Sequence, residues 1–303
     1  MIRKLLLLAA GNERLEELVS RSRLTSGLVS RYVAGTTLDD VIAVSRSLGA
    51  KGIDVSLDLL GETVDDLRES AAATAAYVDT IHAIADRAPG ATVSVKLSQL
   101  GVGLDQSVCA GHLKQLLEVA EECAVTVEVD MEHSSVGPQT LEIYRTFLPS
   151  FPRTRVAQQA AMRRCPEDLS SFTDVKPRIR LVKGAFLEPI EKALQEREEI
   201  TAQYRYLASW ALANLPDPAF GTHDDVCIDH VRAEADRLGV DPRDFEFQML
   251  YGVRRDLQER LAAEGYRVRV YVPFGGQWYP YLMRRMAERP ANLLLFLRSL
   301  VGG

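Results

Sequence analysis

Several classes of protein leave signals that this sequence lacks. Its four cysteines lie far apart without CxxC spacing, and its five histidines show no metal-ligand spacing. The cysteines are therefore interpreted as reduced thiols of a cytoplasmic protein, and no metal site is expected. A net charge of −6 without a long basic run argues against a nucleic-acid partner.

Long apolar segments and nucleotide-binding glycine motifs are missing too. No apolar stretch is long enough to span a bilayer. The short apolar run at 5–10 is followed at once by charged residues, which argues against a secretory signal. No GxGxxG follows the first predicted strand, which argues against a Rossmann domain.

The composition that is present is that of an ordinary globular protein, with 47% hydrophobic and 26% charged residues. A length of 303 residues allows two average domains or one α/β barrel. Residues 1–50 are predicted to form a helical extension. Apolar residues recur at helical spacing within 15–19 and 41–48, and Thr37 and Asp39 are possible helix caps.

From residue 51 to residue 303, strand-like and helix-like segments alternate eight times. The strand-like segments read GIDVSLDLL, TVSVKLSQL, AVTVEVDMEH, RVAQQA, RIRLVKGAF, PAFGTH, FEFQML and YRVRVYVPF. This alternation indicates parallel strand pairing. Eight units fit a (β/α)8 TIM-type barrel, which we predict for 51–303. An open doubly wound sheet is the alternative.

The strands alternate between a polar and an apolar face. In a barrel the polar face would line the lumen, and the apolar face would meet the helices. A charged group in such a lumen costs several kcal/mol or more unless it is paired, so charges placed there are expected to be used. The polar faces carry Asp54, Ser56 and Asp58, then Thr92, Ser94 and Lys96, then Thr126, Glu128 and Asp130.

Polar and cationic residues recur at the carboxyl ends of the predicted strands, where barrel enzymes place their active sites. They are Lys96, Asp130, Gln159, Arg180, Lys183, Thr222, His223, Gln248 and Tyr271. The residues alone indicate a barrel enzyme with an anionic ligand. A structural Lys96–Asp130 ion pair, a hydrogen-bonded His223 and backbone-bonding glutamines are the alternatives.

A helix predicted to begin near Trp278 and end close to Pro290 adds a further cationic group. Tyr281, Arg284, Arg285 and Glu288 fall at i, i+3, i+4 and i+7, which places them on one face. Two guanidiniums beside a phenol form a good clamp for a carboxylate, because arginine presents a planar fork of donors. A solvated helix face is the alternative.

Three motifs in this order carry a resemblance to a known family. The segments RLVKGA at 180–185, FQMLYG at 247–252 and WYPYLMRR at 278–285 together resemble proline dehydrogenase, in particular its monofunctional bacterial members. The resemblance implies a barrel that uses FAD to oxidise L-proline to Δ1-pyrroline-5-carboxylate and passes electrons to a quinone. It also implies a separate dehydrogenase that receives the product, and leaves open a peripheral contact with the inner face of the membrane.

The resemblance also implies roles for individual residues. Asp130 matches the acidic active-site residue, and Arg180 matches the arginine beside the flavin N5. The substrate-binding positions are Lys96, Tyr271, Tyr281, Arg284, Arg285 and Glu288. The flavin-binding positions, besides Arg180, are Met131, Gln159, Lys183, Gly184, Ala185, Thr222, His223 and Gln248.

Two positions refine this expectation. Phe186 stands where many relatives carry tyrosine, so the aromatic wall is kept and its hydroxyl is lost. Tyr281 stands where hydroxyproline dehydrogenases carry a smaller residue, which favours unsubstituted proline. The alternative function is a flavin-free barrel lyase or aldolase with Lys96 as a Schiff-base lysine. A ligand-binding barrel without catalysis is a third class.

Overall fold

Eight parallel strands close into one barrel. The computed structural model describes residues 23–61 and 63–288. The strands are β1 (Asp54–Leu59), β2 (Thr92–Val95), β3 (Thr126–Val129), β4 (Arg155–Gln159), β5 (Arg178–Val182), β6 (Ala219–Gly221), β7 (Glu246–Leu250) and β8 (Arg267–Phe274). They pair in chain order, and β8 closes on β1. The predicted barrel is confirmed, and the open-sheet alternative is wrong.

Helices connect the strands and precede the first one. They are α1 (Arg23–Tyr32), α2 (Leu38–Gly49), α3 (Leu67–Arg87), α4 (Gln106–Glu122), α5 (Gly137–Phe147), α6 (Cys165–Ser170), α7 (Arg197–Asn214), α8 (Asp225–Leu238), α9 (Arg255–Ala263) and α10 (Trp278–Glu288). Within the ranges described, no helix combines the length and apolar character needed to cross a membrane.

Side-chain caps explain where several helices begin. Thr37 caps α2, and its capping-box partner is Asp40. The other predicted cap, Asp39, instead forms an ion pair with Arg87 at the end of α3. Asp66 caps α3 in the same way, since its carboxylate accepts hydrogen bonds from two backbone amides of the first turn.

The two faces of the strands separate as predicted. Val55 and Leu57 of β1, and Val93 and Val95 of β2, are buried in the hydrophobic core between strands and helices. Their neighbours of opposite parity line the lumen, where polar side chains of different strands bond to one another. Ser94 of β2, for example, donates a hydrogen bond to the Asp130 carboxylate at 2.8 Å.

The helices before β1 pack on the barrel. The chain after α1 bonds to the end of β8, because the Ala34 amide donates to the Pro273 carbonyl at 2.9 Å. Gly252 lies against the last turn of α1, where an added Cβ would sit 1.8 Å from the Arg31 carbonyl oxygen. Segment 15–19 lies outside the described residues, and a division between 1–50 and 51–303 stays a prediction.

A second hydrophobic cluster joins α1 to the carboxyl end of the barrel. Its buried members are Tyr32, Val33, Leu60, Val253, Tyr279, Tyr281, Leu282 and Met283. They come from α1, the loops after β1 and β7, and α10. The position of α10 at the mouth of the lumen therefore depends on packing against the segment that precedes the barrel.

Candidate active site

Lys96 follows β2 directly and projects into the mouth of the lumen, among oxygen atoms from three other strands. Its Nζ bonds to Asp58 Oδ1, lies 3.4 Å from Asp130 Oδ2, and lies 3.2 Å from the Tyr271 hydroxyl. The Lys96–Asp130 ion pair, given above as the structural alternative for these residues, is present. The closer partner is Asp58, which the strand alternation placed in the lumen but which was not among the predicted site residues.

The charge of Lys96 is fixed by these neighbours. Burial lowers the pKa of the Lys96 amine, but attraction to Asp58 and Asp130 outweighs burial and holds the pKa well above its ordinary value. A Schiff-base lysine must be neutral to attack a carbonyl. The electrostatics therefore argue against the lyase alternative and give Lys96 the role of a permanent cation.

Asp130 is held by four groups at once. Arg180 Nη1 lies 3.0 Å from Oδ1, which also accepts a hydrogen bond from the Ser94 hydroxyl. The Tyr271 hydroxyl donates to Oδ2 at 2.6 Å. Burial raises the pKa of this carboxyl, but Arg180 and Lys96 more than offset it, so the pKa is lowered overall. Asp130 is therefore an anion that fixes the cations around it.

Tyr271 lies beneath both cations. Its ring centroid is 5.6 Å from the Arg180 guanidinium carbon and 5.9 Å from Lys96 Nζ. Cations are attracted to an aromatic face at such distances. Burial and the nearby Asp130 carboxylate raise the pKa of Tyr271 well above its ordinary value, so the phenol stays protonated and donates to Asp130.

Below this layer the lumen holds a second set of charges, of which only Arg180 was a predicted site residue. Arg155 Nη1 lies 3.1 Å from both Glu128 and Glu246. Arg269 Nε lies 3.0 Å from Glu246, and Arg180 Nη2 lies 3.1 Å from Glu128. All five side chains are buried. The strict alternation of arginine and valine in RVRV at 267–270 was a signal for this layer.

The loops after β4 and β5 meet at Gln159 and Gly184. Gln159 Nε2 donates to the Glu132 carbonyl at 2.8 Å. Gly184 has φ +109°, and an added Cβ would lie 3.0 Å from Gln159 Oε1 and 3.2 Å from Ala161 Cβ. Glycine is favoured there by its backbone conformation and by the close neighbours. Ala185 follows it and is exposed.

Lys183 points along the rim. Its Nζ lies 2.7 Å from both Asp224 Oδ2 and Thr201 Oγ1, at the beginning of α8 and within α7. A lysine beside two helices and a glycine loop is suitably placed to bind a phosphate group. Lys183 is thus separate from the cluster around Asp130 and marks a second part of the rim.

The remaining predicted cofactor residues lie on β7 and just after β6 and β3. Thr222 Oγ1 accepts from the Asp224 amide at 3.1 Å, and His223 Nε2 accepts from the Leu250 amide at 2.9 Å. Gln248 Nε2 donates to Glu246 at 2.8 Å. Met131 lies at a cavity of about 30 Å³ beside α5.

Phe186 lies on the loop after β5, against His133, with ring centroids 4.1 Å apart. Glu188, on the same loop, bonds this loop to the one after β3, because its carboxylate accepts a hydrogen bond from the Ser134 amide at 2.8 Å. The aromatic wall expected at Phe186 is therefore held between two loops.

Helix α10 begins at Trp278, within the predicted range. Tyr281 is buried in the cluster that joins α1 to the barrel. The side chains of Arg284, Arg285 and Glu288 lie outside the described part of the structure. The carboxylate clamp therefore stays a prediction that rests on the spacing of these residues.

Two buried atoms show that the lumen has unused bonding capacity. Gln248 Oε1 and Arg180 Nε have no hydrogen-bond partner among the described residues. Buried polar atoms are normally satisfied. Both atoms are enclosed by protein, so a ligand does not reach them in this arrangement of side chains. The groups that fit a flavin nucleotide are the Gly184 cradle and Lys183 at the rim.

A closed barrel whose carboxyl-terminal mouth holds a fixed lysine, a fixed arginine and a buried carboxylate defines a (β/α)8-barrel enzyme with a charged ligand. Comparison with known proteins gives the particular family. The family model for proline dehydrogenase matches residues 41–294, and the chain belongs to this family.

Individual relatives agree. Proline dehydrogenase 1 of Bacillus subtilis (strain 168) is 34% identical over 301 residues, which cover 99% of both chains. The proline dehydrogenase of Deinococcus radiodurans is 36% identical over 312 residues, covering 100% of this chain and 99% of the relative. The resemblance read from the three motifs is confirmed, and the enzyme is a proline dehydrogenase of the first step of proline catabolism.

A solved structure shows the same architecture. Proline utilization A (PutA) from Bdellovibrio bacteriovorus, inactivated by N-propargylglycine, superimposes with a TM-score of 0.83 at 25% identity. The match covers 91% of this chain and 34% of that one, so this chain spans about a third of the PutA polypeptide. Proline dehydrogenases are flavin-dependent in general.

Proposed function

We propose that this enzyme binds FAD, oxidises L-proline to Δ1-pyrroline-5-carboxylate and passes the electrons to a quinone. The observation that carries the proposal is the pairing of Arg180 and Lys96 around Asp130 at the mouth of the lumen. When bound, the flavin supplies the redox chemistry by accepting a hydride from the ring carbon next to the proline nitrogen.

Arg180 is the residue assigned to the flavin ring. A guanidinium held within a buried cluster is preorganised to stabilise negative charge, and costs no reorganisation at the moment of reaction. Gln159, Lys183, Gly184, Ala185, Thr222 and His223 are the proposed neighbours of the cofactor along the rim, with Met131 and Gln248 beside them.

Lys96 and α10 are assigned to proline. The permanent positive charge of Lys96 lies beside the Tyr271 hydroxyl, which bounds the same side of the lumen. Arg284 and Arg285 hold the substrate carboxylate, Glu288 closes one side, and Tyr281 covers the proline ring. Asp130 orients both lumen cations, since it contacts Lys96 and Arg180 together. The substrate amine is neutral when the hydride leaves.

The partners follow from the chemistry. The product passes to a separate pyrroline-5-carboxylate dehydrogenase. The enzyme is cytoplasmic, contacts the membrane peripherally and passes its electrons to a quinone.

A spectrum of the purified protein tests the proposal first. The expected result is a yellow protein whose released cofactor is FAD by chromatography. Anaerobic addition of L-proline should bleach the flavin, and a soluble quinone should restore its colour. A colourless protein that is trapped by borohydride with its substrate would support the lyase alternative instead.

A further inference from the structure

Glu128 lies directly beneath Arg180 in the lumen, on the same face of β3 as Asp130. Its Oε2 lies 3.1 Å from Arg180 Nη2, while Asp130 Oδ1 lies 3.0 Å from Nη1. Glu128 is completely buried, and Arg180 is 5% exposed. The guanidinium is therefore held between two carboxylates, which together offset its charge before any ligand meets it.

The other cations near Glu128 have carboxylate partners of their own. Arg155 lies 3.1 Å from Glu246 and 2.8 Å from Asp217, and Arg269 lies 3.0 Å from Glu246. Within the described part of the chain, Arg180 pairs only with Glu128 and Asp130. Loss of the Glu128 charge would thus change the electrostatic balance of Arg180 more than that of the deeper arginines.

We propose that Glu128 is a positioning residue for the redox reaction. It anchors Arg180 by Nη2 and offsets part of the guanidinium charge, and in this way lowers the reduction potential of the flavin. The inference rests on the proposed function, which places a flavin against Arg180. A buried negative charge near the cofactor disfavours the added electrons, and the low dielectric of the lumen strengthens the effect.

The test compares two isosteric variants of the holoenzyme, Glu128→Gln and Glu246→Gln. Each removes one buried carboxylate charge from the lumen, but Glu246 contacts Arg155, Arg267 and Arg269 instead of Arg180. The flavin is titrated with dithionite beside a reference dye. Glu128→Gln should favour the reduced flavin at least tenfold, which is about 30 mV for a two-electron couple. Glu246→Gln should give less than half of that shift in potential.

A third variant separates charge from packing. Glu128→Asp keeps the carboxylate and shortens the side chain by one methylene, so its potential should stay close to that of the wild type. The proposal is overturned by an unchanged or lowered potential in Glu128→Gln, or by an equal rise in Glu246→Gln.

A double variant covers the case in which Glu128→Gln does not fold with its cofactor. Glu128→Gln combined with Arg155→Gln also removes a deeper cation that Glu128 contacts at 3.1 Å, so the lumen keeps its charge balance. Its potential should still exceed that of the wild type, and a value at or below the wild-type value would overturn the role of Glu128.

The titration does not depend on proline, so two failures can be told apart. A wild-type protein without flavin, or with a flavin that proline does not reduce, would contradict the proposed function. A wild-type flavin that proline reduces, together with an unmoved potential in Glu128→Gln, would contradict only the role of Glu128.

Discussion

Replacing Lys96 by methionine should destabilise the enzyme by leaving Asp58 without a cation. Asp58 has 1% of its side chain exposed, and Lys96 is its only ion-pair partner among the residues described. Methionine has a similar length, so packing is largely kept and the loss is electrostatic. Removing one partner of a buried ion pair costs ~3–5 kcal/mol, because the remaining charge is buried and uncompensated.

The loss should depend on pH with a definite sign. Burial already raises the pKa of Asp58, and Lys96 opposes that rise. In Lys96→Met the pKa of the folded state should lie still higher above that of the unfolded chain. The variant is then most stable at low pH, where the carboxyl is protonated, and loses stability as pH rises through the folded-state pKa. The wild-type Lys96 charge is constant over this range because its own pKa is raised.

Urea unfolding at several pH values measures this effect, with equal cofactor loading because a bound ligand adds to apparent stability. The gap between wild type and Lys96→Met should widen from pH 5 to pH 8. Adding Asp58→Asn should recover part of the loss, which a double-mutant cycle would report as a coupling energy of about 0.5–3 kcal/mol. A gap that is independent of pH and unaffected by Asp58→Asn would refute the reasoning.

Three further predictions concern the ligands. Arg284→Ala should raise the Michaelis constant for proline, equivalent to roughly 1.5–3 kcal/mol, with normal flavin content; an unchanged constant contradicts the clamp. Arg180→Met should lower the reduction potential of the bound flavin, because the reduced anion loses a cation; an unchanged potential with full flavin content contradicts the assignment. Tyr281→Ser should shift the ratio of catalytic efficiencies towards 4-hydroxyproline by about tenfold, since overpacking costs about 1–3 kcal/mol; an unmoved ratio means that Tyr281 does not contact the ring.

The barrel could be predicted because its signal is repetitive. The alternation of strands with helices recurs eight times, and polar and apolar residues alternate within several of the strands, so an error in one unit does not change the outcome. Local capping was harder to predict. Asp39 and Asp40 are neighbours of the same type near the start of α2, and only the three-dimensional turn shows that Asp40 completes the capping box.

The site residues at the rim of the barrel were predicted, whereas the charged residues deeper in the lumen were not. Lys96, Asp130, Arg180 and Tyr271 were identified, and they meet in one cluster. The closest partner of Lys96 was not identified, although Asp58 lies on the neighbouring strand β1, in register with Ser94 of β2. The contact depends on the register between these two strands, which residue types alone do not specify.

Arg269 also bears on how the chain reaches this fold during synthesis. It lies on β8 and bonds to β7 through Glu246 and to β1 through the Val55 carbonyl, at 3.0 Å in each case. It is thus a cation of the last strand that bonds directly to the first. A nascent chain that has exposed only β1 to β7 holds Glu246 without this partner, and burial of that carboxylate is then costly. The barrel should therefore close as one cooperative event, late in translation, after β8 has left the ribosome.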